Sequence, residues 1–382
     1  MVSVASKAGW AQSSPGATGG SLMFAGTQTV APSTSKGIYA FQWAPKEGTL
    51  TSLGVAAETP NPTFLALTPD KKTLIAANEV DDYAERAGGA SQTPEKTGSV
   101  SSFLVNGHEL TAVNTVSAHG AGTCHVSVDQ SGQAVFAANY TGGSAASFRL
   151  DASGRLSPAV SQFHYQGHGP DPDRQDAPHA HRTTVSPENQ FVFINDLGLD
   201  CLHMYRLEWA TAELRPTDPA QFNIAAGSGP RALRFHPGGR FVYCVNELNS
   251  TIDVFGWKPL NGQLTLLQRL ELLPAGTKGL ARASELVFTR QGNFGYAAVR
   301  DKNFLVSLAV DEHTGKLTLI DRGDCGGKTP RHIALDPTEQ WLLVANQDSD
   351  VISAMPRDAK SGKLAPTGIN TPLSKPQCLL FA

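Results

Sequence analysis

The sequence predicts an all-β fold: a seven-bladed β-propeller with four antiparallel strands per blade, the ring closed by the N- and C-terminal strands within one blade. Three observations carry this expectation. Only 17% of the 382 residues are charged, while Gly (37) and Pro (24) are plentiful, a balance that suits short strands and tight turns better than long surface helices. One phrase recurs along the chain: an apolar strand, a turn of Pro, Asp or Gly, and a second strand that usually ends in Asn. The two chain ends each hold part of one further unit.

In chain order, LMFAGTQT matches only the second strand of the phrase, with Gly26 at its anchor. Full copies follow as FLALTPDKKTLIAANEV, HVSVDQSGQAVFAANYT, RTTVSPENQFVFINDLG, ALRFHPGGRFVYCVNEL, ELVFTRQGNFGYAAVRD and HIALDPTEQWLLVANQD. Their anchors are Asn78, Asn139, Asn195, Asn246, Val299 and Asn346, a period of about 53 residues that signals a repeat architecture. Each unit runs on into a third, alternating strand (GSVSSFLV, STIDVFGW, FLVSLAV). A turn such as LNGQL or HTGKL then leads to a fourth (ELTAVNTV, QLTLLQRL, KLTLIDRG). The final PQCLLFA is an orphan strand of the first type. Pairing it with LMFAGTQT completes a seventh blade and leaves no open sheet edge. Residues 1–20 then form a flexible leader and residues 21–382 a single propeller domain.

Composition also excludes partners. A formal net charge of −3 offers no basic field to nucleic acid or to an anionic membrane. No apolar run approaches the roughly 18 residues that span a bilayer. Cys124, Cys201, Cys244, Cys325 and Cys378 are scattered, without a C-x-x-C pair, and read as small buried apolar residues rather than a disulfide framework. Residues 1–20 lack the apolar core of a complete export signal, so a cytoplasmic protein is expected, with a cropped signal ending near Gly9-Trp10-Ala11 as the exported alternative. The expected assembly is a monomer or weak dimer.

In a propeller the innermost strand of each blade lines the central channel, so a site should collect one or two polar side chains per blade from equivalent positions. With the repeats in register, the start of the first strand offers His181, Arg231, Glu285 and Arg331. The end of the second offers Asn139 with Tyr140, Asp196, Glu247, Arg300, and Asn346 with Gln347. Of these, Asn139, Glu285, Arg331 and Asn346, together with His179, are expected to bind substrate. Asn at a strand end is equally a turn former.

The stretches GPRALRFHPGGRFVYCVNELNSTIDVF, PHAHRTTVSPENQFVFINDLGLD, CHVSVDQSGQAVFAANYTGGS and TPRHIALDPTEQWLLVANQDSD together resemble the lactonase family of seven-bladed propellers. That family includes the propeller-type 6-phosphogluconolactonases and the fungal 3-carboxy-cis,cis-muconate lactonizing enzyme. The likeness spans about residues 22–382. Its most specific element is G-P-R followed sixteen residues later by N-E-L, which sets Arg231 against Glu247, with P-H-x-H one blade earlier. The resemblance implies a catalytic group of His181, Arg231, Glu247 and Arg300, although Arg300 stands in AAVRD where relatives usually read S-N-R-G. It implies a hydrolase, without metal or other cofactor, that opens an anionic small-molecule lactone. A carboxymuconate cyclase and a non-catalytic binding propeller are the alternatives.

The chemistry fits those residue types. Opening an aldonolactone needs an activated water, a stabilised oxyanion and a proton for the departing ring oxygen. Glu247 or His181 can act as base and His181 as the later acid, since imidazole titrates nearest neutral pH. Arg231 and Arg300 present the fixed donor fork that suits a carboxylate, a phosphate or an oxyanion. No G-x-S-x-G motif occurs, so direct attack by water is expected. The segment HYQGHGPDPDRQDAPHAH (164–181) has the composition of a metal site, yet no further ligand spacing fits zinc, and it reads as a flexible rim. The polar insertion 84–98 reads as a lid or a solvated hairpin.

Overall fold

In a computed structural model that describes residues 20–83 and 96–382, seven four-stranded antiparallel sheets stand around a common axis. The leader and most of the 84–98 insertion lie outside the described residues. One blade is made from both chain ends: Pro376–Phe381 is innermost, followed outward by Ser21–Thr27, Gly37–Ala44 and Thr49–Glu58. The terminal strands pair antiparallel, Phe24 opposite Leu380 and Ala25 opposite Leu379. The other six blades begin with the inner strands Pro62–Leu67, Thr123–Val128, Ala180–Val185, Pro230–Phe235, Arg282–Phe288 and Pro330–Leu335.

The cores lie between blades. Each of seven apolar clusters joins one blade to its neighbour, as where Tyr243, Val245 and Val254 meet Leu286, Ala297 and Val306. At the closing seam Trp43 sits edge-on to Trp341 and Phe381, at centroid distances of 5.9 and 6.4 Å. Its indole N–H donates to Asp336 across the blade boundary. The five cysteines are buried and free.

Every inner strand carries one β-bulge near its start. The pairing with the second strand skips Thr63, Cys124, His181, Arg231, Ser284, Arg331 and Gln377 in turn. A bulged residue is freed from the ladder and its side chain re-aimed, here at the mouth of the channel. This device corrects the sequence register in three places. Glu285 is not the counterpart of His181, Arg231 and Arg331; Ser284 is, and Glu285 lies one step down the strand beside His125, Arg182 and His332. The anchors opposite the pre-bulge residue are Asp196, not Asn195, and Thr27, not Gly26. Matching by residue type picked the neighbouring Asn, but a single step along a strand reverses the face that a side chain serves.

Candidate active site

Two positions per blade build the cup at one end of the channel: the bulge and the residue after the second-strand anchor. The first set gives Cys124, His181, Arg231 and Arg331, the second Glu79, Tyr140, Glu247 and Arg300. All but Arg231, which lies just beneath, border a cavity of about 220 Å³, to which Arg174 and Arg282 also contribute.

Glu247 is the hub. It is 2% exposed, and its Oε1 lies 2.7 Å from Arg174 Nη2 while Oε2 lies 2.5 Å from Arg300 Nη2 and 3.2 Å from Arg231 Nε. Burial by itself would raise its pKa, but the Arg300, Arg231 and Arg174 guanidiniums outweigh burial and hold the carboxyl well below its ordinary range. Such a group binds protons weakly. Arg231 also donates to the Ser284 carbonyl; burial and the guanidiniums of Arg300 and Arg331 lower it to about 9, so it stays cationic at neutral pH.

His181 is the opposite case. Burial, then Arg231, Arg331 and Arg300, push the imidazole well below its usual pKa despite the pull of Glu247, so it is neutral at pH 7. Its ring makes no hydrogen bond among the described residues and stands edge-on to Tyr140 at 5.5 Å. Cys124 beside it is a thiol, raised by burial and bonded to the His181 carbonyl at 3.3 Å. That removes a thiolate nucleophile.

The cup is cationic. Arg174, Arg282, Arg300 and Arg331 line it with Glu79 and Glu247, Arg231 backs Glu247 from beneath, and Asp301 holds Arg282 at 2.7 Å. The excess of two positive charges calls for an anionic ligand. Arg331 meets no carboxylate among the described residues, which leaves its guanidinium available.

The structure therefore brings His181, Arg231, Glu247 and Arg300 into one group, with Arg331 at its edge. The other expected binding residues are placed differently. His179 stacks on Tyr140 at 4.4 Å and donates from Nδ1 to the Tyr140 carbonyl at 3.0 Å, bracing the wall. Asn139 donates to the Ala118 carbonyl and the Ser144 hydroxyl and accepts from Thr123. Asn346 donates to the Cys325 carbonyl and to Ser353. Both amides lock blade loops and line no wall of the cup. Glu285, one layer deeper, is clasped by Arg182 at 2.8 Å and Arg234 at 3.2 Å.

The family model described as the lactonase, 7-bladed beta-propeller matches residues 22–381. This chain belongs to that lactonase family. A 6-phosphogluconolactonase of Bacillus subtilis is 30% identical over 349 residues, which cover 91% of this chain and 95% of the relative. Among solved structures, the periplasmic gluconolactonase PpgL of Pseudomonas aeruginosa superposes with a TM-score of 0.86 at 33% identity, covering 94% of this chain and 98% of that one. A protein from Lactobacillus plantarum gives 0.85 at 31%, covering 95% and 99%. As a lactonase-family hydrolase, the chain takes a small-molecule lactone as its substrate class.

Sequence reasoning about this lactonase missed Arg174 and Arg282. Arg174 comes from the segment read as a flexible rim, which is in fact pinned. Gln175 is fully buried, donating to the Leu197 carbonyl and accepting from the Asp171 amide, while the Asp171 carboxylate caps the amides of Asp173 and Arg174. The D-x-D-R spacing was the available signal, since an Asp followed by such amides forms an Asx turn. Among the described residues no three His, Cys, Asp or Glu side chains are grouped as metal ligands.

Proposed function

We propose that this lactonase-family propeller hydrolyses an anionic sugar lactone of the 6-phosphogluconolactone type. The observation that carries the reading is a neutral, unbonded imidazole set in a cup with an excess of guanidinium groups. The names of the curated relatives favour the same substrate. His181 takes a proton from water, whose oxygen bonds to the lactone carbonyl carbon. Arg231 and Arg331 stabilise the oxyanion that forms. As the carbon–ring-oxygen bond breaks, His181 returns its proton to the departing oxygen. The substrate's own negative charge offsets the arginine field and so makes the imidazole more basic in the complex.

Glu247 fits better as a positioning residue than as the base. Its carboxylate orients Arg231, Arg300 and Arg174, and a strongly acidic carboxyl transfers little driving force to a proton abstraction. The name of PpgL raises a second reading, a neutral gluconolactone as substrate.

The experiment is a hydrolysis panel of 6-phosphogluconolactone, gluconolactone and carboxymuconolactone, run with and without EDTA. Preference for the phosphorylated lactone by tenfold or more in kcat/KM, unchanged by EDTA, is expected. Equal rates on the two sugar lactones would move the assignment to a neutral substrate.

A further inference from the structure

Beneath the cup, between the bulge layer and the next residues of the inner strands, the channel narrows to a cavity of about 20 Å³. That is room for one small monatomic ion or one water. Three buried polar atoms of its lining have no hydrogen-bond partner in the protein: Thr63 Oγ1, His125 Nε2 and Arg231 Nε. The last lies 3.2 Å from Glu247 without hydrogen-bond alignment. His125 is 5% exposed, Arg231 5% and Thr63 7%.

The chemistry of these atoms has one sign. The Thr183 amide donates to His125 Nδ1 at 3.3 Å, and the Thr183 hydroxyl at 3.2 Å then donates to it too, so in the neutral ring Nε2 carries the hydrogen and is a donor. His332 repeats the pattern: the Leu379 amide donates to its Nδ1, and its Nε2 stands 3.8 Å from Glu285, beyond hydrogen-bond reach. Arg231 Nε is a donor and the Thr63 hydroxyl can turn to donate. The charge agrees. Arg182, Arg231 and Arg331 line the cavity with the single carboxylate of Glu285, which Arg182 clasps, while Arg231 meets Glu247 above it. Buried donors without an acceptor are costly, and burying unbalanced cations is costlier.

We propose that this axial cavity is a binding site for one monovalent monatomic anion of the halide class, chloride in ordinary buffers, held by His125 Nε2–H, Arg231 Nε–H and the Thr63 hydroxyl. The site lies beneath the lactone cup, shares Cys124, His181 and Arg331 with its lining and Arg231 with its catalytic group, and would stand whichever lactone the cup accepts. A halide satisfies several donors at once without bringing a hydrogen that needs an acceptor. Water would have to place its two hydrogens beside unpartnered atoms of which only the Thr63 hydroxyl can accept.

Bromide is the probe. Crystals of the full chain grown in sodium bromide and measured at the bromine edge should show an anomalous peak on the channel axis, within about 3.5 Å of His125 Nε2 and Arg231 Nε, a usual reach for N–H to halide contacts. The absence of a peak there, with only water density, would overturn the site. In solution, replacing methanesulfonate by chloride at constant ionic strength should raise Tm by about 2 °C or more, by the mass action of a ligand that binds only the folded state. His125→Phe, which keeps a ring packed against Phe64 at 4.0 Å but removes the N–H, should lose both the peak and the chloride response. A peak that persists unchanged in H125F would refute the assignment of His125, and if the variant does not fold the native bromide map still decides.

Discussion

Replacing Glu247 by Gln tests the hub directly. The substitution keeps the size and one acceptor but removes the charge that three guanidiniums share at 2.5 to 3.2 Å. Breaking a buried ion pair from one side costs about 3–5 kcal/mol. At roughly 2 °C per kcal/mol for a chain of this size, Tm should fall by about 6–10 °C at pH 7. The sign with pH follows from the lowered carboxyl: its stabilisation is complete above the ordinary carboxyl pKa near 4.5 and declines as pH falls toward its folded value. The Tm gap between parent and variant should therefore be full at pH 7 and narrow only below about pH 4.5. With His181 as base, kcat should fall about 10–100-fold through mispositioned arginines. The acidic limb of the pH–rate profile should survive and move to lower pH, because the carboxylate that raises the His181 pKa is gone. Differential scanning calorimetry and steady-state kinetics between pH 4 and 9 read both effects. A loss of about 10³–10⁴-fold in kcat, with the acidic limb abolished and affinity unchanged, would refute the positioning role and make Glu247 the base.

Other substitutions separate the remaining roles. His181→Ala should lower kcat by about two to four orders of magnitude, the range for loss of a general base, with KM little changed; near-parent turnover would leave only a binding propeller. Arg231→Lys should weaken both KM and kcat, because a point charge cannot keep the Ser284 carbonyl and the Glu247 carboxylate together. Arg174→Ala should raise KM for a phosphorylated lactone about fivefold, a partly exposed cation contributing modestly, with no change for an uncharged one. Deleting residues 376–382 removes an inner strand whose Cys378 and Leu379 are 1% and 2% exposed. It should prevent folding or lower Tm by more than 10 °C, since an open blade loses both its ladder and two inter-blade cores. An unchanged melting curve would contradict closure through the chain ends.

Much of this was legible before any coordinates, for physical reasons. Strand and turn are local choices, so the alternation within each repeat and the Pro, Asp and Gly between strands specify four-stranded units by themselves, and the half-units at the two ends specify how the ring closes. Repeat position maps onto channel position, so His181, Arg231, Glu247 and Arg300 stood among the residues expected at the channel mouth, and the family resemblance singled out those four. What the linear chain did not reveal was the one-residue bulge in every inner strand, which moves Glu285 a layer below the cup and gives the anchor positions to Asp196 and Thr27. Nor did it show that Asn139 and Asn346 spend their amides on blade loops, or that a buried Gln175 fixes the segment that presents Arg174 to Glu247. The protonation preferences belong wholly to the tertiary structure: a Glu that stays charged and a His that stays neutral are set by burial and by guanidiniums from other blades, 53 to 73 residues away for Glu247 with Arg300 and Arg174. The repeat determines which residues reach the axis, and only their assembly around it decides which of them hold a proton.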